Sequence, residues 1–193
     1  IALALKEEIV DTETVIKDIK KNIKCSVHKI SDIKQFPESM TVEDILIQSS
    51  NIGTVKIARK VGEDKYKKFL KELNLLDSPK FELDEIGNPI PFKWNKCKLE
   101  TISFGHGITT TPLQAAAAYA SLINGGKFIT PTLEKDKNNN LTFKRIISEE
   151  TSGKIKNILR KVVTDENGTA SLANIYGYNV SGKTGTSQYY DDE

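Results

Sequence analysis

The sequence predicts a mixed α/β protein of the α+β type, in which an antiparallel sheet lies beside a cluster of helices. Three observations support this fold class. Helical patterns dominate the chain up to the pair Gly125-Gly126, and a hairpin, one more helix and a strand follow them. No regular alternation of strand and helix is present, which argues against a parallel sheet. The 193 residues, 38% of them hydrophobic, suffice for one core, so the length favours one domain or one large piece of a domain over residues 1–193.

The first third of the chain is predicted to be largely helical. Residues 1–23 carry a helical pattern that breaks or bends around Asp11-Thr12-Glu13. Thr41 precedes an apolar stretch with two acidic residues and is the predicted N-cap of a helix. After the polar break Ser49-Ser50-Asn51, apolar residues recur at helical spacing as far as Gly62. A further helix is predicted from four apolar positions: Tyr66, Phe69, Leu70 and Leu73.

A long loop separates these helices from the next one. Residues 76–98 contain three prolines and a glycine, which predicts a surface loop. Thr111 and Pro112 are the predicted cap and first residue of a helix that ends at Gly125-Gly126.

The last third is predicted to mix strands with one helix. Residues 127–133 and 140–147 flank an Asn-rich turn and predict a β-hairpin. A helix is expected from residue 148 to about residue 164. Residues 179–181 and 184–190 predict a strand interrupted by glycines.

Charge and hydropathy exclude two classes of function. The formal net charge is +2, and only three of the 28 basic residues are arginines, so the chain has no electrostatic footprint for nucleic acid. Every apolar run is far shorter than the roughly 18 residues that a membrane-spanning helix needs.

The two cysteines, Cys25 and Cys97, are 72 positions apart. They lack C-x-x-C spacing, and His28 and His106 add no ligands at metal-site spacing, so no metal site is predicted. Two buried thiols are the preferred interpretation. A disulfide in an oxidising compartment is the alternative that the sequence leaves open.

Both ends of the chain lack the residues that normally open and close an element. The apolar stretch 1–10 begins without a capping residue, and residues 188–193 follow a strand-like run without a turn. We therefore expect an internal segment of a longer protein, with a partial domain truncated at both ends.

Three short polar patterns are candidate sites. The first is Ser49-Ser50-Asn51, at the break between two helical segments. The second is Gly105-His106-Gly107-Ile108 with the following Thr111-Pro112-Leu113-Gln114. The third is the segment 181–187, SGKTGTS, which places a cation and hydroxyls between glycines. Each pattern alone is common by chance, but their combination in this order is far more specific.

The combination resembles the transpeptidase domain of class B penicillin-binding proteins over essentially the whole chain. Three segments are most similar to the septal cell-division type, penicillin-binding protein 3, and the elongation-specific type is a near neighbour. These segments are SSNIGTVKIA, SFGHGITTTPLQAAAAYASLINGG and VSGKTGTSQ. Asn51 and Lys183 are separated by 132 positions, which suits that domain. The resemblance implies the serine β-lactamase/D,D-peptidase fold.

The resemblance also implies an activity, partners and a location. The reaction is acyl transfer from D-alanyl-D-alanine to an amine of a neighbouring stem peptide, without a cofactor, during septal cell-wall synthesis. The implied partners are peptidoglycan stem peptides, β-lactam antibiotics and membrane proteins of the division complex. Such proteins have an anchor in the bacterial inner membrane, outside this chain, and a catalytic domain in the periplasm.

By the same resemblance, three residues take catalytic roles. Ser49 relays a proton towards the leaving D-alanine nitrogen, and Asn51 hydrogen-bonds the amide of the stem peptide. Lys183 supplies the positive potential that favours an anionic substrate.

Three residues that follow Lys183 are implied to bind the substrate. Thr184 and Thr186 bind its terminal carboxylate, or the carboxylate of a β-lactam. Gly185 allows the substrate backbone to pair closely with this strand. The backbone N–H of Thr186 is one donor of the oxyanion hole.

The family's third motif, Ser-x-x-Lys, carries the nucleophile. Two segments match this motif in residue type and spacing: Ser26-Val27-His28-Lys29 and Ser31-Asp32-Ile33-Lys34. Both are rejected because they lie in a short polar stretch, whereas the family's nucleophile opens a long buried helix. The motif is expected upstream of Ile1, so residues 1–193 alone are predicted to be inactive.

Two alternatives remain open at this point. The first is a serine β-lactamase or β-lactam sensor of the same fold, which the Thr111–Gln114 pattern disfavours. The second is a non-catalytic division scaffold, which the intact Ser49, Asn51 and Lys183 disfavour.

Overall fold

The computed structural model describes residues 1–79, 81–83, 87, 89–135 and 142–185. Within these ranges, the chain forms seven α-helices and six short strands. The elements are, in order, α1 (Ala2–Lys6), β1 (Val15–Lys17), β2 (Asn22–Cys25), β3 (His28–Ser31), β4 (Ser39–Thr41), α2 (Val42–Ile47), α3 (Asn51–Val61), α4 (Glu63–Glu72), α5 (Lys98–Ser103), α6 (Pro112–Ile123), β5 (Lys127–Ile129), β6 (Phe143–Arg145) and α7 (Glu149–Thr164).

The described strands form three antiparallel pairs. Strand β1 pairs with β4, β2 with β3, and β5 with β6. In the first pair the buried Ile16 lies opposite the buried Met40, and in the second Ile23 lies opposite Ile30. The α+β prediction is confirmed, although the described strands form separate pairs and not one continuous sheet.

Helix α3 lies at the centre of the core. Ile52 and Val55 on this helix are fully buried, and α1, α2, α4 and α5 all pack against it. Gly53 lets α2 approach, because a Cβ atom at this position would lie 2.6 Å from Cγ1 of Ile45. The first residues of α3 are therefore fixed tightly against α2.

Side-chain caps explain where four helices begin. The hydroxyls of Thr41, Ser50 and Ser148 accept hydrogen bonds from the third backbone N–H of α2, α3 and α7. Thr111 and Gln114 form a capping box on α6, and Gln114 also donates to the carbonyls of two residues after α4, Asn74 and Asp77. The predicted starts at Thr41 and Thr111 are confirmed, and the Thr111–Gln114 pattern has a structural role.

The helical prediction for residues 1–23 is wrong beyond Lys6. Residues 15–17 alternate exposed, buried, exposed, which is the period of a strand, and β4 supplies their backbone partners. The predicted loop at 76–98 is confirmed in its described part, and α5, for which no prediction was made, begins at its end.

The predicted elements of the last third are confirmed only in part. The hairpin of β5 and β6 is present, as is the helix from residue 149 to residue 164. Residues 179–185 belong to no regular strand, and residues 186–190 lie outside the described part of the chain. None of the described helices is long and apolar enough to cross a bilayer.

The preferred interpretation of two free thiols is wrong. Cys25 and Cys97 form a disulfide, with their Cα atoms 5.8 Å apart. The bond ties the end of β2 to the residue that precedes α5. Sequence could not decide this pairing, because it depends on a tertiary contact between residues 72 positions apart.

Removal of this disulfide is expected to destabilise the protein substantially. A loop of this length implies a loss of about 4 kcal/mol in the free energy of unfolding for the double variant Cys25→Ser, Cys97→Ser. Urea denaturation of the variant and of the oxidised and reduced wild type measures it. A reduced wild type with the same midpoint as the oxidised protein would contradict the structure.

Candidate active site

The first predicted pattern forms the junction between α2 and α3. Gln48 ends α2, and Ser50 caps α3 by accepting a hydrogen bond from the N–H of Gly53. Ser49 lies between them with a left-handed backbone, φ 61°. Such a conformation is costly for a residue other than glycine, so its surroundings must hold it in place.

Lys183 reaches this junction from the other end of the chain. Its Nζ donates to Oγ of Ser49 at 2.8 Å and to Oγ1 of Thr184 at 3.0 Å. The lysine is partly buried, and this desolvation lowers its pKa from the usual value. A cation and two hydroxyls thus form one connected group, which is suited to stabilising an anion and to passing a proton.

A residue that the sequence analysis missed supports this group. Oγ1 of Thr169 lies 3.0 Å from Oγ1 of Thr184, and it also donates to the carbonyl of Ile47 at 3.4 Å. Thr169 thereby links the Lys183 segment to the end of α2. No local pattern marks it, because its partner at Ile47 is 122 positions away.

Helix α7 holds the segment that carries Lys183. Nη1 of Arg160 donates to the carbonyl of Val180 at 2.5 Å, and the N–H of Gly182 donates to the carbonyl of Leu159 at 3.1 Å. These bonds lie on both sides of residue 181. The lysine is therefore positioned by a helix, although its own segment is irregular.

The remaining predicted site residues have different surroundings. Asn51 is the first residue of α3, and its side-chain amide donates to the carbonyl of Ser31 at 3.0 Å. Thr184 and Gly185 are exposed. Thr186 lies outside the described residues. The structure thus joins Ser49, Lys183 and Thr184 directly. Asn51 lies two residues after Ser49 in the sequence, and its side-chain amide bonds to Ser31.

The two Ser-x-x-Lys matches do not begin helices. Ser26 lies in the turn between β2 and β3 with φ 56°, and Ser31 is the last residue of β3. Both serines are exposed. Their setting agrees with their rejection as nucleophiles.

Comparison with known proteins identifies the family. The sequence family described as the penicillin binding protein transpeptidase domain matches residues 1–193. The chain is 33% identical over 177 residues to the probable peptidoglycan D,D-transpeptidase FtsI of Caulobacter vibrioides, covering 90% of this chain and 30% of that protein. It is 32% identical over 166 residues to the stage V sporulation protein D of Bacillus subtilis, covering 79% of this chain and 25% of that protein.

A solved structure gives the same result. The transpeptidase domain of penicillin-binding protein 3 from Burkholderia pseudomallei aligns with a TM-score of 0.87 at 25% identity, covering 98% of this chain and 60% of that one. The chain belongs to the penicillin-binding protein transpeptidase domain family, so the family predicted from the three patterns is confirmed. It spans less than a third of the length of the two curated relatives named above.

Proposed function

We propose that the full-length protein is a peptidoglycan D,D-transpeptidase that binds penicillin and cross-links stem peptides during septal cell-wall synthesis. The observation that carries this proposal is the 2.8 Å contact between Nζ of Lys183 and Oγ of Ser49. It joins two short patterns that are 134 positions apart in sequence, and acyl transfer requires such groups around one carbonyl.

The proposed first step is acylation of a serine in a Ser-x-x-Lys motif outside residues 1–193. The serine oxygen bonds to the carbonyl carbon of the penultimate D-alanine, and the amide C–N bond breaks. The serine proton ends on the nitrogen of the departing D-alanine, and the Ser49 hydroxyl relays it. In the second step an acceptor amine attacks the ester carbonyl, the ester C–O bond breaks, and one proton of the amine passes to the serine oxygen.

The proposed role of Lys183 is electrostatic. Its cation lies against Ser49, so it stabilises negative charge that develops at the reacting carbonyl and attracts the substrate's terminal carboxylate. Thr184 and Gly185 are exposed beside it and are proposed, with Thr186, to bind that carboxylate. Asn51 is proposed to orient the stem-peptide amide.

Location and partners belong to the same proposal. The catalytic domain is proposed to lie in the periplasm, on a protein anchored in the inner membrane outside this chain. Its proposed partners are nascent peptidoglycan and membrane proteins of the division complex. The supporting observation is the similarity to relatives named as peptidoglycan D,D-transpeptidases.

Transpeptidation by the full-length protein tests the proposal. We expect release of D-alanine from a pentapeptide substrate, with incorporation of an added D-amino acid acceptor, and inhibition of both by benzylpenicillin. We also expect a stable penicillin adduct and slow hydrolysis of a chromogenic cephalosporin. Rapid turnover of the cephalosporin would indicate a β-lactamase instead, and the absence of any adduct would favour a non-catalytic scaffold.

A further inference from the structure

Asp32 is a buried carboxylate whose bonds all go to the start of α3. It follows β3, and its side chain is almost completely shielded from solvent, at 5% exposure. Oδ1 accepts hydrogen bonds from the backbone N–H of Asn51 at 2.5 Å and of Ile52 at 3.2 Å. Oδ2 accepts from the hydroxyl of Ser50 at 3.1 Å.

These bonds provide acceptors for the backbone N–H groups at the N-terminus of α3. The first N–H groups of a helix have no partner within the helix. Here Asp32 accepts from the first two, at Asn51 and Ile52, and Ser50 accepts from the third, at Gly53. A carboxylate at this end also interacts favourably with the helix dipole. Burial raises the pKa of Asp32, and the three hydrogen bonds oppose that rise.

The anchored residues include Asn51 of the candidate active site and directly follow Ser49. Ser50 and Asn51 directly follow Ser49, whose left-handed backbone needs external support. The carbonyl of Ser31, the residue before Asp32, accepts the side-chain amide of Asn51. Ser31, the last residue of β3, therefore fixes the side chain of Asn51, and Asp32, which follows it, fixes the backbone.

The segment that carries Asp32 is itself anchored. The β2–β3 hairpin precedes Asp32 directly, and the disulfide from Cys25 ties that hairpin to the start of α5. Helix α5 packs against α3. Movement of the hairpin, and with it of Asp32, relative to α3 is thus limited.

We propose that Asp32 is a positioning residue for acyl transfer, because its carboxylate holds the Ser49–Asn51 junction in the geometry that brings Ser49 to Lys183. This inference rests on the proposed function. Asp32 does not touch the reacting atoms, and it acts through Ser49 and Asn51.

The test measures the second-order rate of acylation by a fluorescent penicillin in the full-length protein. The variants are Asp32→Ala, Asp32→Asn and the control Ser148→Ala. Ser148 caps α7 through the N–H of Thr151, so the control removes a helix cap away from the junction. All rates are measured where circular dichroism shows each variant to be folded.

Asp32→Ala is expected to react about 100-fold more slowly than the wild type, the loss that a displacement of about 1 Å near the chemistry can cause. Asp32→Asn keeps one oxygen acceptor, and we expect a loss of about three- to tenfold, since only part of the hydrogen bonding is removed. Ser148→Ala is expected to stay within about twofold of the wild type, because it leaves the junction intact. In a Ser49→Ala background, Asp32→Ala is expected to reduce the acylation rate clearly less than it does in the wild type. The reason is that the effects of two substitutions are not additive when one residue acts through the other.

A rate for Asp32→Ala equal to that of Ser148→Ala would overturn the inference, as would full additivity with Ser49→Ala. If Asp32→Ala does not fold, the acylation rate of Asp32→Asn is the test. An unchanged rate in that variant would overturn the inference. A wild-type protein that forms no adduct would instead refute the proposed function, and the inference with it.

Discussion

Replacement of Lys183 by alanine in the full-length protein is expected to slow acylation by penicillin about 100- to 1000-fold, the typical cost of removing one preorganised electrostatic group. The cation lies 2.8 Å from Oγ of Ser49 and 3.0 Å from Oγ1 of Thr184, so its loss removes the charge from the whole group. The rate of labelling with a fluorescent penicillin measures the effect.

Lys156→Ala is the matched control for this variant. Lys156 is exposed on α7, the helix that positions the Lys183 segment, and loss of an exposed charge is expected to be nearly silent. Because burial lowers the pKa of Lys183, its cation loses its proton at a lower pH than an exposed lysine does. The wild-type rate should therefore fall as pH rises through that lowered pKa. Equal rates for the two variants would show that Lys183 has no catalytic role.

Residues 1–193 alone are expected to form no ester with benzylpenicillin. The two serines that fit Ser-x-x-Lys lie in a hairpin turn, at Ser26, and at the end of a strand, at Ser31. Neither begins a helix, so neither has the setting in which the family's nucleophile is activated. Intact-mass spectrometry after incubation with the drug measures the adduct, and circular dichroism shows whether the chain is folded.

The full-length protein under the same conditions is the control, and it should gain the mass of one penicillin molecule. Peptide mapping then locates the modified serine. An adduct on Ser26 or Ser31 in either protein would place the nucleophile within this chain and would contradict the account.

The parts of the fold that sequence predicted correctly are those decided by neighbouring residues. Thr41 and Thr111 mark helix starts because each cap bonds an N–H three residues ahead. The strand at Val15–Lys17 was missed because its pairing with Ser39–Thr41 is not local. The disulfide of Cys25 was missed for the same reason, since its partner is 72 positions away.

The candidate site shows the same difference between features marked by a local pattern and features that depend on distant contacts. Ser49, Asn51 and Lys183 could be proposed from the sequence because their residue types recur in short patterns of a known family. Asp32 and Thr169 were missed because no pattern includes them. Asp32 bonds Ser50 across 18 positions, and Thr169 bonds Thr184 across 15 positions and Ile47 across 122. Residues that hold a site in place are recognised by their contacts and burial, which only a structure supplies.

The central claim is that Ser49, Asn51 and Lys183 serve one active site. A crystal structure of the full-length protein acylated by benzylpenicillin tests it most directly. We expect the drug's carboxylate beside Lys183 and Thr184, its side-chain amide within hydrogen-bonding distance of Asn51, and Ser49 next to the drug's ring nitrogen. A penicilloyl group bound away from Lys183, with no contact to Ser49 or Asn51, would contradict it.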